Sequence, residues 1–511
     1  MKLSTLFRRP ANKIRAHDYW QKADDYWVDG DRPLALECAQ KATALDSANP
    51  EAHLALAKFR ARAGDYVSAI AGLKLAAETV SPLEAITRQI VRLLYTLNRP
   101  EEALTLLSPL LEKDKNDHEL WRLNAQLMLA LGQPDKARRN AERAIEIDPK
   151  RPGGYAVLSR VLLQQGEHDL AQEQLEKAIA LGGESTSLSY RLAAIHEERN
   201  RLDESWSALT RVPPDHIPAQ TRRARILHAR GDFDGAREAA RALGRLCAES
   251  FGGMSLESLF SECFKEAQSD QRESDAATWL WSRLNQLETA KADWILRLKW
   301  GLVVNNRINQ WILANPERID ELNAIVETPD WSVLTAARAE GRTILLTGAH
   351  VGPRTLALHF LNRLDVPLGM VVGDVSYVLQ YGRKPFILPR DPHSMIALRE
   401  MLNTHGMLYM VADGSFGRSR YQVEFLGASG FLAEGAAALA RLSGAQTFWL
   451  AARWIGSRIK LDLLPGPAPV EGESRVAWNR RFFSFYLAQL ENQLRAGSEN
   501  LRRATLRFIK I

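Results

Sequence analysis

Along the first half of the chain, small apolar residues return at one fixed interval. Ala35, Ala69, Ala103, Ala137, Ala171 and Ser205 stand 34 residues apart, each five positions after a glycine or asparagine: Gly30, Gly64, Asn98, Gly132, Gly166 and Asn200. Those marks open similar phrases, GDRPLA, GDYVSA, NRPEEA, GQPDKA, GEHDLA and NRLDES. A further phrase, GDFDGA, begins at Gly231 after an interval of 31 and carries Ala236 in the same place. Seven positions beyond the first small residue comes another in four of the units, at Ala42, Ala76, Ala144 and Ala178. The pattern predicts a ladder of helical hairpins. Glycine or asparagine after a helical run accepts the left-handed backbone that ends a helix, and small residues at fixed positions let paired helices approach closely. A single hairpin cannot bury its apolar face, whereas a stack of them can.

These units resemble the tetratricopeptide repeat, including the prolines that close some of them (Pro50, Pro149) and Trp121 near the start of the fourth. The resemblance covers residues 16–246. It implies a solenoid whose concave groove receives a peptide or a partner domain, so a protein partner is expected through the repeats. The other reading is that the array braces the domain that follows. No single groove residue stands out in the sequence.

From about residue 248 the beat stops, and FGGMSLESLF brings in glycine and methionine ahead of two helical stretches at 276–287 and 289–314. After Asp330 short apolar runs alternate with amphipathic ones. Strands are predicted at 343–347, 367–372, 407–411, 447–452 and 459–464, and helices at 354–364, 394–403, 431–442 and 475–494. That rhythm is the mark of an α/β sheet domain. The expected organisation is a basic segment at 1–15, an all-α repeat solenoid at 16–246, a helical linker and start of the second domain at 247–330, and an α/β domain at 331–511.

Functional groups in such folds gather where strands end, and two phrases fall there. In TILLTGAHVGPRTLALHFL an apolar strand runs into His350, then Gly352, then Pro353 at a first helical position. Backbone N–H groups at that helix start could polarise a carbonyl or hold an oxyanion. In GMLYMVADGSFGRSRYQVEFLG a second strand ends at Asp413, followed by a glycine-rich, basic loop. If the two strands are neighbours, His350 and Asp413 share one rim.

Composition narrows the picture. The 511 residues, 46% hydrophobic and 25% charged, belong to the ordinary globular range and allow several domains. Three distant cysteines, Cys38, Cys247 and Cys263, offer neither a disulfide framework nor zinc-ligand spacing, which fits a reducing cytoplasm. The opening MKLSTLFRRPANKIR lacks the apolar core of a signal peptide. The most apolar later stretch, 431–455, is interrupted by Glu434, Arg441, Gln446 and Arg453, short of the roughly 18 to 20 apolar residues that cross a bilayer. A net charge of +6 is mild: it serves solubility, or attraction to an anionic membrane surface, and supplies no basic stripe for nucleic acid.

The C-terminal phrases, in order, resemble the bacterial lipid A lauroyl/myristoyl acyltransferases of the lysophospholipid acyltransferase superfamily. The residues that carry the likeness are GAHVGPRT, YGRKPFILPRDPHSMIALREML, ADGSFGRS, VEFLGASGF and ALARLSGAQTFWLAARW, over about residues 270–511. The resemblance does not extend to a membrane anchor. It also touches acyltransferase-like proteins of Vi-type capsule export loci. What it implies is an O-acyltransferase that takes a fatty acyl chain from a thioester, on acyl carrier protein or coenzyme A, and needs no metal or redox cofactor. The acceptor would be a hydroxyl of a glycolipid or surface-polysaccharide lipid anchor, and the enzyme would sit in the cytoplasm, peripheral at the inner membrane. His350 would be the general base, suited by an imidazole that titrates near neutrality. Asp413 matches the aspartate of the glycine-rich loop, and Arg383 and Arg390 match basic residues that would hold a phosphate. Gly352 would bind substrate at the turn, and Arg418 with Arg420 forms a short basic patch that faces an anionic headgroup or belongs to a solvated loop.

One departure matters. The family places a Glu or Asp after its histidine and four intervening residues, to orient and stabilise the imidazolium; here that position is Thr355. Either Asp413 or Asp374 replaces it, or the chain is an inactive lipid- or glycan-binding scaffold in polysaccharide assembly or export. His359, His393 and His405 are read as structural, and Phe448, Trp449 and Trp454 as core. Hydrolase, nucleotidase and dehydrogenase readings fail, since no GxSxG elbow, GxxxxGK[ST] loop or post-strand GxGxxG is present.

Overall fold

A computed structural model describes residues 8–28, 31–77, 83–182, 186–270, 275–284, 290–373, 375–382, 386–387, 394–412, 419–502 and 505. The chain divides into two compact units at Leu192/Ala193, with a short segment from Ser269 grouped with the first.

The first unit is helical. Successive hairpins include Pro50–Arg62 with Tyr66–Ala77, Leu83–Thr96 with Pro100–Lys113, His118–Ala130 with Pro134–Ile147, and Pro152–Gln165 with His168–Ala180. The repeat marks between paired helices adopt the left-handed backbone: Gly64 at φ 85, Asn98 at 59, Gly132 at 67 and Gly166 at 80. A Cβ on Gly64, Gly132 or Gly166 would meet nothing within 4 Å, so it is backbone conformation, not crowding, that selects glycine there. This is why asparagine can stand in at residue 98. Each small ladder residue, from Ala35 to Ala171, is fully buried, as close helix packing requires. Ion pairs stitch one hairpin to the next, among them Arg92–Glu119 at 2.8 Å and Arg138–Glu167 at 2.8 Å.

The second unit begins before the repeat beat has ended. Its early helices, Leu202–Leu209, Ile217–Ala229 and Phe233–Phe251, keep the repeat signature: Asn200 and Gly231 are left-handed, and Ser205 and Ala236 are fully buried. The Ser205 hydroxyl meets its hydrogen-bonding need by donating to the Ala193 carbonyl at 2.7 Å. The Phe233–Phe251 helix packs on Lys291–Ala314 and on Ser376–Tyr381 rather than on another hairpin. Periodicity therefore runs to about residue 246 while compactness switches at residue 193.

Among the described residues, the rest of the unit holds a seven-stranded sheet in the order β1-β9-β8-β2-β5-β3-β4. The strands are β1 (Val326–Glu327), β2 (Ile344–Gly348), β3 (Gly369–Val371), β4 (Phe386–Ile387), β5 (Met407–Val411), β8 (Gln446–Ile455) and β9 (Arg458–Pro465), with β6 (Arg420–Phe425) and β7 (Ala428–Ala433) forming a separate hairpin. Neighbours run parallel except β8 and β9. Successive strand residues face opposite cores. Ile344, Leu346, Tyr409, Phe448 and Leu450 pack with Trp311 on one side, and Leu345, Leu408, Trp449 and Ala451 with Trp478, Phe482 and Tyr486 on the other. Phe448, Trp449 and Trp454 are core, as expected.

The α/β expectation holds in outline, with one local correction. A helix was expected over 431–442, but the chain first makes β7 and turns helical only at Gly435–Ser443. Residues 420–433 alternate exposed and buried with period two, and Leu426 and Gly427 both take positive φ, at 51° and 77°. That is the geometry of a two-residue hairpin turn matched to strand twist.

Candidate functional site

The central strand β2 is buried along its whole length and is flanked by β8 and β5. It ends at Gly348, where a Cβ would lie 2.8 Å from both the Leu450 carbonyl and the Tyr409 hydroxyl. Only glycine lets the neighbouring strands close on that point. The Gly348 carbonyl accepts from the Ala412 N–H at 3.0 Å and from the Tyr486 hydroxyl at 3.2 Å. Two residues on, His350 sits half-buried at the strand end, followed by buried Val351, Gly352 and Pro353, and the helix Thr355–Arg363 begins.

The turn is held by a segment more than a hundred residues away. Gly352, at φ 47, donates its N–H to the Asn500 carbonyl at 2.8 Å and accepts from Arg502 Nη1 at 2.9 Å. A Cβ there would lie 2.3 Å from the Ala452 carbonyl. The His350 carbonyl accepts from the Thr505 hydroxyl. Asn500 also serves the part of β8 that outruns β2: its Oδ1 accepts the Trp454 N–H at 2.7 Å. Arg502 reaches further to the Asn305 carbonyl at 3.2 Å. Burial, with the charge of Arg354 nearby, pushes its guanidinium down to about 9, so it remains a cation at neutral pH.

A second layer fixes the strap itself. Glu499 is buried and pairs with Arg297 at 2.5 Å. Its backbone lies so close to Gly301 that a Cβ on Gly301 would sit 2.3 Å from the Glu499 carbonyl. Asn305 bridges by donating to that carbonyl at 3.0 Å and accepting the Trp454 indole N–H at 2.9 Å. Sequence reasoning missed Asn500, Arg502 and Thr505. They stand in a polar C-terminal stretch without periodicity, and nothing local distinguishes them from solvated surface.

The expected site residues fare differently. His350 and Gly352 are described and adjacent in the turn. Gly352, expected at the substrate, has both backbone groups engaged inside the protein, so it shapes the turn, and its N–H is not open to an oxyanion. Thr355 is buried at the first position of its helix. Asp413, Arg383, Arg390 and Arg418 lie outside the described residues, as do Asp374 and His393. The strands that lead to His350 and Asp413 are parallel neighbours, pairing Gly348 with Val411, so both strand ends reach one rim. Cys263 is no nucleophile: burial pushes its thiol up to about 12. Among the described residues no helix is long and apolar enough to cross a membrane.

Comparison with known proteins bears on the repeats. Tetratricopeptide repeat models match residues 21–81 and 88–152, 128–185, and 218–242. The N-terminal part of the chain thus carries tetratricopeptide repeats, which are protein-interaction modules. Similar solved structures include MamA from Desulfovibrio magneticus RS-1, 17% identical, covering 33% of this chain and 95% of that one at a TM-score of 0.28. A tetratricopeptide repeat protein from Parabacteroides merdae is 16% identical, covering 46% and 93% at 0.35. Pseudomonas aeruginosa pilF is 15% identical, covering 46% and 93% at 0.29. No curated protein matches the chain.

Proposed function

We propose that the second unit is an acyltransferase that moves a fatty acyl chain from a thioester donor to a hydroxyl of a glycolipid or surface-polysaccharide lipid anchor. The observation that carries the reading is His350, half-buried at the C-terminal end of the central strand, on a turn tied down at His350 and Gly352 by the 498–505 segment. A histidine so placed can take a proton from an acceptor hydroxyl as its oxygen attacks the thioester carbonyl. The carbon–sulfur bond then breaks, and the departing thiolate recovers the proton from the imidazolium. Acyl carrier protein or coenzyme A supplies the thioester, and Arg383, Arg390 and Arg418 supply cationic groups for donor phosphate and anionic headgroup. Asp413, two positions after Val411 in the sequence, takes the orienting role in this reading that Thr355 cannot fill, because a hydroxyl carries no charge to offset an imidazolium. The repeats bring this site to a protein partner at the inner membrane, with the protein cytoplasmic and peripheral.

Thr355 favours one second reading, an inactive lipid- or glycan-binding scaffold in polysaccharide assembly or export. Mass spectrometry of lipids and glycans from cells carrying His350→Ala separates the two. Loss of one acylated species supports transfer; an unchanged acylation profile leaves the scaffold.

A further inference from the structure

Away from the His350 turn, a cavity of about 630 Å³ opens between the end of the Lys291–Ala314 helix, the Thr355–Arg363 helix and the Ser376–Tyr381 helix. Its size falls within the roughly 300–1,000 Å³ of sites that enclose small organic ligands. Ile312, Pro316 and Ile319 form an apolar wall, and the rings of Tyr377 and Tyr381, 5.5 Å apart, form another. His359, Arg363 and Gln380 add polar lining beside Asn362, whose amide already donates to the Tyr381 carbonyl at 2.9 Å.

His359, Gln380 and Arg363 are unfinished. His359 is 4% exposed, and its Nδ1 lies 2.6 Å from the Tyr377 hydroxyl while its Nε2 has no hydrogen-bond partner. Burial, with the charge of Arg363 nearby, holds the imidazole down to about 4, so it is neutral at pH 7 and carries one N–H. In the tautomer that lets the Tyr377 hydroxyl donate to Nδ1, the N–H falls on Nε2. That leaves a buried donor facing the cavity with no protein partner. Gln380 donates to the Tyr381 hydroxyl at 2.7 Å, and its buried Oε1 accepts nothing. At the rim Arg363 is exposed, and among the described residues no carboxylate pairs with it. The cavity thus combines a donor and an unpaired cation with an apolar, aromatic body of space.

We propose that this cavity binds a small organic anion carrying an apolar body, its charged head on Arg363 and His359 Nε2–H and its body between the isoleucines and the tyrosines. Carboxylates and phosphate monoesters share that chemistry. The site is separate from the His350 turn and does not depend on the transfer reading.

The test is calorimetric titration of the full chain with octanoate, octyl phosphate, octanol and acetate. Both octyl anions are expected to bind, with octanol and acetate at least tenfold weaker, since a charge-assisted hydrogen bond contributes roughly tenfold or more. Comparing the two anions distinguishes carboxylate from phosphate. Arg363→Gln changes an exposed side chain, leaves the fold intact, and should weaken both anions at least tenfold. Ile319→Trp should fill the cavity and block every probe. His350→Ala should leave binding unchanged. Equal binding of octanol and octanoate, an unaltered affinity in Arg363→Gln, or no binding at millimolar concentration overturns the proposal. Binding lost in His350→Ala but kept in Arg363→Gln would place the probes at the His350 turn and overturn it as well, without touching the transfer reading.

Discussion

Asn500 does for Trp454 what a neighbouring strand would do. Its side-chain Oδ1 accepts the Trp454 N–H at 2.7 Å and its Nδ2 donates to the Trp454 carbonyl at 3.4 Å, where β8 has run past the end of β2. The same residue's carbonyl takes the Gly352 N–H, so one asparagine closes a sheet edge and holds the histidine-bearing turn.

Asn500→Ala should therefore destabilise the second unit. Trp454 is fully buried, and an orphaned backbone N–H costs about 1–3 kcal/mol. A lowered urea midpoint checks this. A stability loss of only about a few tenths of a kcal/mol, from the midpoint shift times its denaturant slope, would mean water replaces the side chain.

Gly352→Ala meets two penalties at once. The new Cβ would sit 2.3 Å from the Ala452 carbonyl on a residue at φ 47. Gly341→Ala separates them, because Gly341 has φ 77 and open space around it. The left-handed backbone alone costs about 1–2 kcal/mol, so Gly341→Ala should lose that much and Gly352→Ala clearly more. Thermal unfolding of the two variants gives the comparison; equal losses would show that the Ala452 strand yields without cost.

Glu197 is buried between Arg222 and Arg225, accepting from Arg225 Nη2 at 2.8 Å, and Arg225 in turn donates to the Gly373 carbonyl at 3.0 Å. Removing one partner from a buried pair leaves uncompensated charge, at about 3–5 kcal/mol. Glu197→Ala should lose stability on that scale with little dependence on salt. A loss that shrinks markedly in high salt would mark the pair as solvent-screened.

His359 makes stability depend on pH. Its folded value, about 4, lies below the ordinary 6.5, so the unfolded chain binds the proton more readily. Stability is then fully present above pH 6.5 and falls as pH drops toward 4, by up to about 3 kcal/mol over the window. Denaturant titrations at pH 7 and pH 4.5 should show a smaller drop in His359→Gln than in the parent; identical drops would assign the acid sensitivity to other groups.

How much of this was legible depends on distance along the chain. The ladder was, because Ala69 and Gly64, or Ala137 and Gly132, encode a hairpin within a few residues, where helix period and left-handed backbone leave a direct trace. The run Met407–Val411 was equally plain as a strand. The β6–β7 hairpin is not legible locally because Phe431 and Leu432 precede a real helix, and a short apolar run fits either period.

By itself, then, the sequence determined the repeat hairpins, the α/β rhythm after Asp330, and a histidine at the end of a buried strand. Tertiary structure alone decided that the helix Phe233–Phe251, repeat-like in sequence, packs with the sheet unit, and that Asn500 and Arg502 grip Gly352. It also brought His359, Arg363 and Tyr377 to one cavity. The reason is physical: local period is written by neighbours in the chain. Which buried edge a distant asparagine satisfies is settled only when packing excludes water and leaves that N–H one partner to find.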